Sequence, residues 1–195
     1  MKNLRKNKKG ISALIVVILV VAIIAISVVV IIAINNNIIS LGVTVDQKWS
    51  EVRNQYQRQA DLIPNLVETA KGYMTFEAGV LTNVTNARTA WLNSIAQSQL
   101  EQDTAGVNLN IATGQFLATM ESYPELKSVT VVQTLMDELA GTQNRITVAR
   151  GNYIEAIGDY NRAVQTFPGS MFGHAPKEYY QGSEGTENPP VVNFP

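Results

Sequence analysis

Apolar positions along this chain follow two different patterns. From Ile11 to Ile34 the pattern is unbroken: twenty-four residues carry no charge, and Ser12 and Ser27 are the only polar ones. At about 1.5 Å of rise per helical residue, such a run crosses a hydrocarbon core of roughly 30 Å. Its Ile and Val content would favour strand in water. In lipid the backbone has to satisfy its own hydrogen bonds, so a helix is predicted. The residues before it include Lys2, Arg5, Lys6, Lys8 and Lys9, whereas the twenty or so after it hold only Lys48 and Arg53 as cations. That asymmetry predicts a cytoplasmic N-terminus, with everything from about Asn35 onward outside. A cleaved signal peptide fits less well. The run is longer than an ordinary signal core, and Ile32-Ala33-Ile34-Asn35 is a poor cleavage match.

After the run, the spacing changes to alternate threes and fours. Val45, Trp49, Val52, Tyr56, Gln59, Ile63, Leu66, Ala70 and Tyr73 mark a first outer helix, expected to continue from the span after a short break near Asn35–Asn37 and Gly42. Pro64 lies inside it, removing one amide donor and crowding the carbonyl of Ala60, so a kink is expected, with Asp61 capping the second half. Gly72 and Gly79 bracket a turn. Val80, Val84, Ala87, Trp91 and Ile95 define one face of a second helix. Leu109, Ala112, Phe116 and Met120 define that of a third, over roughly residues 103–121. The last helix carries the longest seam: Val132, Leu135, Leu139, Thr142, Ile146, Ala149, Tyr153, Ala156, Tyr160, Ala163 and Phe167. Large and small residues alternate along it, which lets neighbouring helices interdigitate. The hydroxyls of Tyr153 and Tyr160 need a partner or a wet edge, which places them toward a bundle margin. Phe167-Pro168-Gly169 ends the helix, and the remaining residues have no periodicity.

The expected fold is therefore all-α: a single N-terminal transmembrane helix, then an antiparallel up-and-down four-helix bundle with an extended C-terminal tail. The divisions are a basic cytoplasmic flank (1–10), the span (11–34), the bundle (42–167) and a Pro/Gly-rich tail (168–195).

Composition narrows the function. Five of the 15 cations precede the span, leaving ten outside against all 16 acidic residues, a net charge of −6. A mildly acidic outer domain argues against nucleic acid and against electrostatic attachment to anionic lipid. The chain has no Cys, so it has no thiol chemistry and tolerates an oxidising compartment. Its one His, His174, sits in a Gly/Pro-rich region, which argues against a zinc site or a catalytic triad. No E-x-x-H stands on the helices, so a di-metal bundle is rejected, and no nucleophile–base pair supports a hydrolase. No cofactor is expected.

Asp61-Leu62-Ile63-Pro64-Asn65-Leu66-Val67-Glu68-Thr69-Ala70-Lys71-Gly72-Tyr73 resembles the signature of the LemA family. Val84-x-x-Ala87-Arg88 and Glu121-x-Tyr123-Pro124-x-Leu126-Lys127 follow in order. The last-helix block begins with Leu139-x-x-Thr142-x-Asn144-Arg145-Ile146. It continues through Ala149-Arg150, Tyr153 and Tyr160-Asn161, and closes on Phe167-Pro168 and Phe172-Gly173. The resemblance covers about Val45 to Gly173. It implies a single-pass membrane protein with an outer helical bundle and no established reaction, in a family with one branch linked to magnetosome membranes. The chain departs from the family pattern in three places. Arg58-Gln59-Ala60 stands where two basic residues often precede the Asp, Phe76 replaces a common His, and Ile154 replaces a common Asn.

Asp61, Asn65 and Glu68 lie within two turns and form a candidate partner or ion contact, although capping and solvent exposure also account for them. Arg88, Arg145 and Arg150 are expected to form ion pairs with Glu68, Glu77 or Glu138, or else to bind a partner. With Pro64, these are the signature positions that bear on partner binding. Asn83-Val84-Thr85 is a candidate glycosylation sequon expected on a helix. Lys8-Lys9-Gly10-Ile11-Ser12 resembles the processing site of archaeal pilin precursors, cut between Gly10 and Ile11.

Two functions follow. One is a non-enzymatic scaffold or interaction module, held in the bilayer by Ile11–Ile34 and binding an unidentified protein. The other is a pilin-like filament subunit that self-associates through its apolar helix.

Overall fold

The computed structural model describes residues 2–72, 78–127 and 129–179. Among these residues the structure is helical, with no strand. Four long helices are α1 (Lys2–Ala70), α2 (Ala78–Ser94), α3 (Gln99–Met120) and α5 (Thr130–Gln165). A one-turn α4 (Pro124–Lys127) precedes α5, and a 3-10 turn (Gly169–Phe172) follows it. Contacts divide the chain into two units, Met1–Thr44 with Asp159–Pro176, and Val45–Gly158 with Lys177–Pro195.

In the first unit, the side chains from Leu14 to Ile32 are exposed. Among the described residues, α1 is the one helix long and apolar enough to cross a membrane. The break expected near Asn35–Asn37 and Gly42 is absent, since α1 is helical throughout. Two of the residues expected to interrupt the helix make contacts from it instead. Gly42 faces the Tyr160 ring, where a Cβ would make ordinary contact at 3.5 Å. Asn35 Oδ1 lies 3.2 Å from His174 Nε2.

In the second unit, the core forms on the predicted seam of α1. Val45, Trp49, Val52, Tyr56, Gln59, Ile63, Leu66 and Ala70 are all buried. Tyr73 lies outside the described residues. From α3 come Leu109, Ala112, Phe116 and Met120, as expected. α3 starts earlier than its seam suggested because Ser98 caps it. The Ser98 hydroxyl accepts from the Glu101 amide, and the Glu101 carboxylate accepts from the Ser98 amide at 3.0 Å. The bond from the Ser98 hydroxyl holds the Glu101 carboxyl below its usual range. That contribution is present at neutral pH and is lost as pH falls through the depressed value.

Two parts of the predicted pattern are corrected. Ile95 is exposed, because α2 ends at Ser94, whose hydroxyl donates to the Trp91 carbonyl. In α5 the seam holds to Tyr153 and keeps Tyr160, but its alternate positions move by one residue: Ile157 and Val164 are buried, while Ala156 and Ala163 are only half-buried; Phe167, beyond the end of α5 at Gln165, is exposed. A straight helix drifts about 20° per heptad against a strict 3.5-residue repeat, enough over the length of α5 to hand the inner face to the next residue. Tyr153 is buried rather than marginal, with its ring 5.2 Å from that of Trp49.

One close approach fixes the centre of this unit. A Cβ on Gly106 of α3 would lie 2.4 Å from the Tyr56 ring. That ring is fully buried and its centroid lies 5.1 Å from that of Trp91, so it has little room to move. Gly106→Ala should therefore destabilise by about 1–3 kcal/mol through overpacking, less the roughly 1 kcal/mol that Ala contributes over Gly inside a helix. A raised melting temperature would show that Tyr56 can yield.

Candidate functional site

Pro64 has no amide proton, so in a continuous helix the Ala60 carbonyl loses its bond from residue 64. The structure supplies a replacement from another helix. Arg88 of α2 donates from Nε to the Ala60 oxygen at 2.7 Å. Two signature blocks far apart in sequence are thus joined at one atom. Arg88 was expected to pair with a carboxylate; the correction is that a buried carbonyl, left without a donor, takes its Nε. Asp61 does not cap a second half-helix either. Because α1 continues through Pro64, no free amides need a cap, and Asp61 accepts instead from Gln57 Nε2 at 2.8 Å.

This joint predicts a coupled pair of mutants. Arg88→Met should cost about 1–3 kcal/mol, the price of a buried acceptor left unsatisfied. Pro64→Ala restores the helix's own donor, so in that background the cost of Arg88→Met should shrink by about 1 kcal/mol or more. Urea unfolding of the four proteins measures the coupling. Strict additivity would show that the Arg88 bond does not replace the missing amide.

Around the joint, α1 and α2 leave a groove of about 370 Å³. Its wall includes Pro64, Glu68 and Arg88 from the signature, together with Ile63, Val67, Lys71, Leu81, Thr82, Thr85 and Asn86. The floor is apolar, and opposite charges stand at the rim. Lys71 Nζ is 2.8 Å from Glu68 Oε2, an exposed pair that contributes little to stability. Glu68 pairs along its own helix, Asp61 lines a separate shallow recess with Arg58 and Glu138, and Asn65 is exposed. The three are not drawn together by their recorded bonds.

The remaining arginines do different work. Arg145 donates to the Thr142 hydroxyl at 2.8 Å and borders a recess between α1 and α5. Arg150 reaches Asp103 of α3 with both prongs, Nε to Oδ1 at 3.1 Å and Nη2 to Oδ2 at 3.3 Å. Glu138, expected to serve one of these arginines, is paired with Arg58. Glu77 lies outside the described residues. Asp103 has no exposed side-chain surface, which makes this a buried ion pair. The pair lies close enough to act on both buried tyrosines. Burial raises the Tyr56 and Tyr153 hydroxyls far above their ordinary range, Asp103 pushes the same way, and Arg150 opposes. Asp103 was not singled out from sequence, yet its position was readable: Asp103, Gly106, Leu109 and Thr113 share the inner face of α3.

Asn83 sits exposed on α2, with its amide 3.2 Å from Gln115 Oε1. Gly10 and Ile11 lie within α1.

Comparison with known proteins places these residues in a family context. The model described as the LemA family matches residues 48–194. Magnetosome proteins MamQ 1 and MamQ 2 of Paramagnetospirillum magneticum are each 21% identical in an alignment 185 positions long that covers 80% of this chain and 68% of theirs.

Proposed function

The chain belongs to the LemA family, and on that premise we propose that it is a non-enzymatic, membrane-anchored scaffold that binds a protein partner outside the cytoplasm. In this reading Ile11–Ile34 span the bilayer, the basic flank at 1–10 stays inside, and residues 42–167 form an antiparallel up-and-down bundle outside. One observation carries the partner-binding claim: the α1–α2 groove has three signature residues, Pro64, Glu68 and Arg88, on its wall. An apolar floor with a charged rim suits a helix or extended segment that offers apolar side chains between polar ones. The comparisons match the family and lend no support to the filament reading.

The test is site-specific photocrosslinking in intact membranes, with the reactive group at Thr85 in the groove or at Thr147, an exposed position on α5. The expected result is a discrete adduct from Thr85 that is absent from Thr147 and reduced by Leu81→Asp. Equal adducts from both positions, or none from Thr85, would contradict the assignment of the groove.

A further inference from the structure

The turn after α5 exposes two large apolar side chains. Phe167 is 81% exposed and Met171 is 75% exposed. This is not a loosely held segment. A Cβ on Gly169 would lie 1.9 Å from the Ala163 carbonyl and 3.3 Å from Ile38 Cδ1, so glycine alone allows the turn to fold this tightly. Tyr160 donates to the Ala175 carbonyl at 3.1 Å, and His174 contacts Asn35 at 3.2 Å. A well-anchored turn that directs Phe and Met outward presents a fixed apolar surface.

Its level on α1 indicates which partner. The contacts of the turn and of His174 just after it with α1 fall at Ile38 and at Asn35, the first residue after the apolar run, about 4.5 Å apart along the helix axis. Beyond the hydrocarbon, headgroups occupy a further 5–8 Å or so on each side. On the reading that Ile11–Ile34 span the bilayer, the turn stands in that interfacial layer. Ile39 and Val43 of α1 are also exposed, which extends the apolar surface beyond the span. The acidic outer domain gives no electrostatic reason to touch lipid, so the contact would have to be apolar.

We propose that the turn from Phe167 to Phe172 is a membrane-interface wedge, which seats Phe167 and Met171 in the outer headgroup layer beside the emerging α1. It would set the depth and tilt of the helix. An amphipathic contact of this kind adds to the hold of a span through buried apolar area.

Because the chain lacks Cys, single cysteines can carry nitroxide labels without background. The full chain is reconstituted in phosphatidylethanolamine/phosphatidylglycerol vesicles, with labels at Val20, Asp159, Phe167, Met171 or Ser170. Collision with oxygen is compared with collision with a water-soluble nickel chelate. Labels at 167, 171 and 170 should give an oxygen-to-nickel ratio several-fold above that at 159 and below that at 20. Introducing Phe167→Asp and Met171→Asp should return the label at 170 to the aqueous value. If the turn matches 159 while 20 is deep in lipid, the wedge is wrong and the span stands. If 20 is itself aqueous, the membrane reading fails. Spin–spin broadening between copies at 167, with the label shielded from both reagents, would assign the turn to a second copy and overturn the wedge.

Discussion

Arg150→Met should destabilise the packed helices by about 3–5 kcal/mol, because it leaves the Asp103 carboxylate buried without its guanidinium. For a domain of this size that is a fall of roughly 6–20 °C in Tm. Asp103 has no exposed side-chain surface and cannot turn to water where it stands, whereas the Arg150 side chain is 21% exposed. The same argument predicts a rescue. Replacing both partners, as Asp103→Leu with Arg150→Met, removes the buried charge together with its counter-charge and should recover most of the loss. Buried ion pairs replaced by apolar residues are often neutral or better. Thermal melts of the wild type, the single mutant and the double mutant decide the matter. A mild single mutant, or a double mutant worse than the single, would mean that the carboxylate reaches another way of being solvated.

Trp91→Ala should have a loss of the same order, about 3–5 kcal/mol, from the cavity left in the core. Trp91 is the largest fully buried side chain and packs on Tyr56, which in turn lies against Gly106. Trp91→Phe should cost clearly less. It keeps most of the ring volume and removes an indole N–H that has no hydrogen-bond partner among the described residues. Leaving that donor buried has a cost that Phe avoids. Chemical denaturation that gives equal losses for Ala and Phe would show that the indole N–H is satisfied after all.

These residues also show how far the chain could be read in advance. The seam from Val45 to Ala70 was legible because a helix against a core repeats its apolar residues at threes and fours, and that repeat runs unbroken through Pro64. The long apolar run was legible for the opposite reason, since it lacks any polar face. The register of α5 after Tyr153 was not legible. Residues 156 and 157 are both apolar, and only the accumulated drift of a real helix decides which one turns inward. α3 starts earlier than its apolar seam, at the capping box Ser98-Gln99-Leu100-Glu101, because the seam begins later than the cap.

The candidate site divides in the same way. That Pro64 strips the Ala60 carbonyl of its donor follows from the covalent structure of proline. That Arg88 replaces the donor depends on where α2 packs, and no local pattern carries that information. Ion pairs were expected for all three arginines because Arg and carboxylates are natural partners. One arginine instead serves a carbonyl, one a hydroxyl on its own helix, and one a carboxylate hidden on the seam of α3. The seam position of Asp103 was visible in the spacing, but a charged residue on an apolar face is usually discounted before its partner is sought.

The proposed function requires that the helical domain lie outside and be held at the membrane by an intact N-terminal helix. Protease added to intact cells, followed by mass spectrometry of the membrane fraction, tests it directly. The prediction is that the bundle is digested, the flank at residues 1–10 survives, and a membrane peptide is recovered in which Gly10 is still joined to Ile11. Protection of the bundle from protease, or recovery only of peptides that begin at Ile11, would contradict it.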